Sequence, residues 1–165
     1  MKNQSRRIIN QVLFVWAIAI IGISIISCTD EPKMNGWGLD DPYNKHYDIK
    51  SLEDFRGRVI RIKEVTPMLE MSPGVALDIQ DNGDIIEVQI CPTWFARPNE
   101  ISIKSGDRIK IKGVRVQINS KNVILASKIK KGEYFEFKVR LTKNGKPFWT
   151  MTPEELVKER RVLKE

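Results

Sequence analysis

From Gly57 onward, apolar and polar residues alternate with the two-residue period of half-buried β-strands. Val59 to Val65 opens the series, with Ile60 and Ile62 on one face and Arg61 and Lys63 on the other. Thr66-Pro67 ends it, and Met68 to Pro73 reads as a loop. Val75, Leu77 and Ile79 alternate with Ala76, Asp78 and Gln80 in a second strand. Asp81-Asn82-Gly83-Asp84 predicts a hairpin turn, because Asn-Gly accepts positive φ. Ile86, Val88 and Ile90 mark a third strand, and Cys91 to Ser105 is irregular, with two prolines. Asp107 to Ile118 is a long fourth strand whose apolar phase switches at Gly113, from Ile109 and Ile111 to Val114, Val116 and Ile118. Such a switch at glycine predicts a bulge or bend. Asn119 to Asn122 turns the chain into a fifth strand, Val123 to Ile129. Tyr134 to Leu141 is a sixth, with Phe135, Phe137 and Val139 inward, and Lys143 to Lys146 is a further turn.

No helical pattern alternates with these strands, so a parallel α/β fold is not expected. Five or six short strands with one bent member predict an all-β fold, a small OB-like barrel. Two short helices flank it. Ser51-Leu52-Glu53-Asp54 predicts one capped helical turn with Leu52 and Phe55 inward. Thr152-Pro153-Glu154-Glu155 is an N-cap, a proline at the first helical position and Glu at the third, which predicts a short C-terminal helix.

The first 27 residues follow another grammar. Lys2, Arg6 and Arg7 precede an apolar run from Val12 to Ile26, and no acidic residue appears before Asp30. This is a secretory signal. It ends in Ile25-Ile26-Ser27-Cys28, which resembles a bacterial lipobox and makes Cys28 the expected lipid-attachment residue. The rival reading is an uncleaved transmembrane helix over Ile8 to Ser27, but Asn10 and Gln11 shorten its apolar stretch. The expected organisation is a signal peptide over 1–27, a polar tether over 28–50, a barrel over 51–150 and a helical tail over 151–165. Trp37, Tyr43 and Tyr47 make the tether an unusual linker and predict that it packs back on the barrel. The expected location is the cell envelope on its periplasmic side. Thr29 after Cys28 slightly favours the outer membrane.

The chain has 165 residues and a formal net charge of +7. The signal holds three of the 28 basic residues and none of the 21 acidic ones, which leaves a mild excess of +4. Arg58, Arg61, Lys63, Lys104, Arg108, Lys110, Lys112, Lys128, Lys130, Lys131, Lys138 and Arg140 mostly alternate with apolar positions, as on solvated outer faces. Strands two and three, where OB barrels bind oligonucleotides, offer no aromatic platform, which argues against nucleic acid. A lipidated Cys28 leaves Cys91 as a lone thiol, expected to be buried and inert.

No catalytic constellation and no cofactor or metal site is legible. His46 is the one histidine and has no partners at triad or metal spacing. Asp78, Asp81 and Asp84 lack a calcium-loop spacing. Two Pro-x-Trp units remain, Pro92-Thr93-Trp94 and Pro147-Phe148-Trp149. Trp94, Phe95, Trp149 and Trp37 are therefore the candidate interaction residues. The expectation is that Trp94 and Trp149 are buried plugs at one barrel end, with an aromatic ligand groove as the alternative.

These motifs occur in a telling order. A Trp-Gly near Tyr-Asn and Tyr-Asp comes first, followed by a Gly-Arg-Val-Ile strand, ICPTWFA, SGDRIKIKG and finally NGKPFW. From Trp37 to Trp149 this resembles a family of exported bacterial OB-like domains, including the one shared by the magnetosome-associated proteins called S and X. Cys91 departs from the family's Leu-Gly-Pro-x-Trp pattern. The haem-binding Cys-x-x-Cys-His motif of the X type is absent, so no cytochrome role is implied. The resemblance implies an OB-like fold and export. The combined expectation is a lipid-anchored envelope module without catalytic activity that meets the membrane through its lipid and binds an envelope protein or ligand. The alternative is a nucleic-acid or polyanion binder.

Overall fold

The computed structural model describes residues 34–162. The expected signal, Cys28 and the start of the expected tether lie outside these residues.

Six strands form: β1 (Leu52–Val65), β2 (Gly74–Asp81), β3 (Asp84–Pro92), β4 (Arg108–Ile118), β5 (Lys121–Lys131) and β6 (Phe135–Lys138). Two short helices accompany them, α1 (Pro42–Lys45) and α2 (Pro153–Val162). The first half of β1 pairs antiparallel with β4, and its second half pairs with β2. β2 pairs with β3 and β4 with β5, and a parallel pairing of β3 with β5 closes the ring. β6 continues the sheet beyond the second half of β5. This is the all-β barrel expected, with its short C-terminal helix.

Asn82 and Gly83 both take positive φ (50° and 99°), so they form the hairpin turn that joins β2 to β3. α2 begins with a reciprocal capping box. The Glu155 amide donates to the Thr152 hydroxyl at 3.3 Å, and the Thr152 amide donates to the Glu155 carboxylate at 3.0 Å. The core is made by Val59, Val75, Leu77, Ile79, Val88, Ile109, Ile111, Ile124 and Ile129, all at most 3% exposed.

Three local expectations are corrected. The helical turn lies one step earlier, at Ile49–Ser51, where the Asp48 carboxylate accepts from the Lys50 amide, and β1 already starts at Leu52. Ile60 faces outward. Val59 opposes Ile79 and Arg61 opposes Asp78, so Ile60 is the extra residue of a bulge and the inward phase passes from Val59 to Ile62. Residues 34–50 pack back on the barrel as their aromatics predict: from Met34 on they belong to the same unit, and Trp37, Tyr43 and Tyr47 are buried.

The third correction concerns Gly113, where the expected bulge is present as a register shift between β4 and β5, but its extra residue is not on β4. β4 runs unbroken against β1 from Val114 to Arg108, so its faces never exchange. The register shift lies on β5, where Ser127 is the extra residue. The apolar phase switches because Ile109 and Ile111 face the barrel interior, whereas Val114 shares the outer face with Lys110 and Lys112 at a place where that face is covered. Gly113 is needed for close approach. A Cβ there would lie 2.5 Å from the Leu125 carbonyl and 2.9 Å from the Ile124 side chain.

Candidate functional site

Three of the four candidate aromatics come together. The Trp37 and Trp149 rings meet edge to face with centroids 5.6 Å apart, Phe95 lies 6.0 Å from Trp149, and Tyr43 lies 4.8 Å from Trp37. Trp149 is 5% exposed and Trp37 fully buried, so this group is packing, not a ligand groove. Arg140 sits inside it at 2% exposure, between the rings of Tyr47 and Trp149 at 4.7 and 4.8 Å. It donates to the Asn44 side-chain oxygen at 2.7 Å. Burial lowers its pKa and pushes the Tyr43 hydroxyl up. The expected place of Arg140 on a solvated face is thereby overturned. β6 stops at Lys138, and the Val139 and Arg140 amides both donate to the Ser127 carbonyl, so the strand period breaks just before Arg140.

Trp94 is not a buried plug. It is 37% exposed and lines a cleft of about 530 Å³ with Glu64, Thr93, Arg97, Pro98 and Asn99. The Phe95 and Ala96 amides bond back to the Pro92 carbonyl, and this turn carries Phe95 and Ala96 toward the core and Trp94 away from it. Cys28, the expected lipid-attachment residue, lies outside the described residues. Cys91 is fully buried, and burial pushes its thiol up to about 12.

Asp78 of β2 and Glu87 and Gln89 of β3 are also buried. Asp78 is bridged by Arg61 and Lys63, both at 2.6 Å, and Glu87 by Lys63 and Lys121, both at 2.8 Å. The Gln89 amide donates to Glu87 at 2.9 Å. Burial alone would raise the Glu87 pKa, but Gln89, Lys121 and Lys63 outweigh it and hold the carboxyl down at about 2. This network pairs two carboxylates with three cations. Among the described residues no group of three or more His, Cys, Asp or Glu side chains is placed to hold a metal.

The outer face of β1, β4, β5 and β6 is different. Here the register places like charges opposite one another. Arg58 opposes Arg108. Arg56 opposes Lys110, which opposes Lys130. Lys112 opposes Lys128, which opposes Lys138. These eight cations are accompanied on the face by Asp54, which meets Lys112 at 3.3 Å, and by Glu136. Burial would raise the Glu136 pKa, but Lys130, Lys128 and Lys138 hold it below its ordinary value. Arg56, Arg58, Arg108 and Lys110 are exposed and make no ion pair among the described residues. A cleft of about 760 Å³ at one end of the face is lined by Arg56, Arg58, Arg108, Lys110 and Lys130, together with residues of the 81–84 and 132–133 turns. At strand spacings of about 4.8 Å and 3.3 Å per residue, the eight cations occupy roughly 15 by 13 Å. Alternation in the sequence shows that these residues point outward. It does not show which of them stand opposite one another.

The family model for the MamS/MamX magnetosome proteins matches residues 51–135, just over half of the chain. The chain belongs to the MamS/MamX magnetosome protein family. The match spans the five strands of the ring. Trp37, Asn44, Arg140 and Trp149 lie outside it on both sides. No curated protein matches this MamS/MamX-family chain. It is similar to a chain of a replication protein A heterotrimer bound to single-stranded DNA, at 13% identity, covering 67% of this chain and 66% of that one, with a TM-score of 0.39. It is also similar to a putative aspartyl-tRNA synthetase from Leishmania major Friedlin, at 12% identity, covering 56% of this chain and 19% of that one, with a TM-score of 0.38.

Proposed function

We propose that this MamS/MamX-family chain is a non-catalytic interaction module held at the cell envelope by lipid on Cys28, with the outer face of β1, β4, β5 and β6 as its working surface. One observation carries the reading: like charges stand opposite one another in three successive cross-strand rows. Opposed like charges destabilise a sheet, so an arrangement of this kind is expected where an anionic partner neutralises it. The lipid anchor is supported by the basic n-region, the apolar run and Ile-Ile-Ser-Cys at 25–28.

Retention of the full chain on immobilised heparin tests the surface. Replacing Lys110 and Lys130 together by Glu should move elution to much lower salt, whereas replacing Lys45 and Lys50 should not. Equal elution of both variants would refute the assignment. Mass spectrometry of the mature N-terminus tests the anchor separately. A lipid-modified Cys28 at position one is the expected result, and an intact Met1 on correctly located protein would replace it with an uncleaved span.

A further inference from the structure

We infer that the anionic partner of this face is the lipid headgroup surface of a bilayer, against which the barrel lies side-on. The inference rests on the envelope reading above, and three observations on the molecule extend it.

The first is charge asymmetry. Residues 34–162 hold 23 basic and 18 acidic residues, a net of +5. The eight cations and two carboxylates of the basic face give +6, and Asp81 and Glu133, which line the cleft at its end, bring this to +4, so most of the positive excess of the described body lies on one side. A one-sided field of this kind orients a protein toward an extended negative plane.

The second is the border of the face. The Arg108–Arg58 row continues across β2 to Gln80 and across β3 to Ile85, which is 66% exposed. On the opposite side, Tyr134 directly precedes β6 and is 97% exposed. An exposed aliphatic and an exposed tyrosine flanking a lysine and arginine grid suit the headgroup boundary, where apolar and amphipathic side chains insert between charges. A soluble polyanion gives these two residues nothing to bury against. The rows themselves hold no aromatic on which bases could stack, which disfavours single-stranded nucleic acid.

The third is reach. Five residues, Thr29 to Lys33, separate Cys28 from Met34. Fully extended, they span at most about 20 Å. A lipid on Cys28 therefore keeps the body within a few Debye lengths of the bilayer, so headgroups are the polyanion it meets at the highest effective concentration.

The test is a lysine acetylation footprint of the full chain reconstituted into phosphatidylcholine vesicles, with and without about 30 mol % phosphatidylglycerol. Lys110, Lys112, Lys128 and Lys130 should be acetylated about fivefold more slowly in the anionic vesicles, and about 0.5 M salt should abolish the difference. Lys45, Lys50 and Lys143, which lie off the face, should be unaffected. The Lys110→Glu, Lys130→Glu double variant should lose the protection at Lys112 and Lys128 while its circular dichroism shows that it stays folded at the assay temperature. Equal acetylation in both vesicle types overturns the inference, and so does salt-resistant protection in neutral vesicles. If heparin protects these lysines and anionic vesicles do not, the bilayer assignment falls while the basic working surface stands. Release of the chain from both vesicle types by alkaline carbonate indicts the anchor instead. Phosphatidylglycerol-dependent protection in that event still supports the inference.

Discussion

The indole N–H of Trp149 donates to the main-chain carbonyl of Trp37 at 2.8 Å, across 112 residues of sequence. The same carbonyl accepts from the Asn44 amide at 2.9 Å, and Asn44 in turn receives Arg140. The two segments that flank the ring are thus bonded to each other through groups that are all buried. Substitutions at the two Pro-x-Trp units should separate cleanly. Trp149→Ala removes a buried ring and leaves the Trp37 carbonyl one donor short, so it should lower stability by ~3–5 kcal/mol. Trp94→Ala should cost less than ~1 kcal/mol. Thermal melts of the two variants decide it, and equal losses would contradict the placement of Trp94.

Acid should loosen the barrel wall at Glu87. Its carboxyl sits at about 2 in the folded chain against an ordinary 4.5. A depressed folded value means that the contribution to stability is complete above about 4.5 and is lost as pH falls toward 2. Wild-type melting temperature should therefore decline through that window. In Glu87→Gln, which leaves Lys63 and Lys121 without their shared carboxylate, the protein should be less stable at neutral pH by ~1–3 kcal/mol and decline less on acidification. Parallel pH–melting curves would show that Glu87 is not the titrating group.

Gly113→Val should destabilise by about 3 kcal/mol, because the new Cβ meets the Leu125 main chain at 2.5 Å and backbone cannot swing aside as a flexible side chain can. Gly83→Ala places its Cβ in open space, so its cost should come from the positive φ alone and stay near ~1 kcal/mol. Chemical denaturation of both proteins makes the comparison.

Lys110→Glu should raise stability. Lys110 stands between Arg56 and Lys130, so reversing its charge converts two opposed repulsions into attractions. Each such pair contributes about 0.2–1 kcal/mol, which predicts a melting temperature higher by about 2–5 °C in low salt and a smaller gain in high salt. A lower melting temperature in the variant would mean that the rows are not mutually repulsive.

Cys91 should resist thiol reagents in the folded state. It has no solvent contact and its thiol is pushed up to about 12, so little thiolate exists at neutral pH. Peptide mass spectrometry after maleimide treatment should find the Cys91 peptide unmodified until denaturant is added. Rapid modification under native conditions would show that the pocket opens.

Much of the barrel was legible because its signals are local. Asn82-Gly83 specifies its turn through backbone angles that few other residues adopt, and Thr152 to Glu155 states both halves of a cap within four residues. The errors arose where one face changes environment along a strand. Val114 and Lys110 point the same way, yet one is covered and the other exposed, and a pattern read in one dimension turns that into a bend at Gly113. Arg140 was misread for a related reason: its parity with Lys138 holds only while β6 continues, and the bulge at Ser127 that ends the pairing belongs to a different strand. The basic working surface was half legible. Each cation was visible as outward-facing, but opposition between Arg56, Lys110 and Lys130 depends on registers between residues up to 54 positions apart.

The hydrogen bond from Trp149 to Trp37 also constrains the order in which the molecule can be completed. Residues 34–50 leave the ribosome before any strand, and Trp37 can settle on Gly74 as soon as β2 exists. Asn44 has no cation to receive until Arg140 has been made, and the Trp37 carbonyl lacks its second donor until Trp149 follows. A chain stopped anywhere before Arg140 holds a nearly finished ring whose N-terminal segment is fastened to Ser72 but lacks its ties to the C-terminal segment. Residues 34–50, made before any strand, are thus the last to gain their full set of bonds.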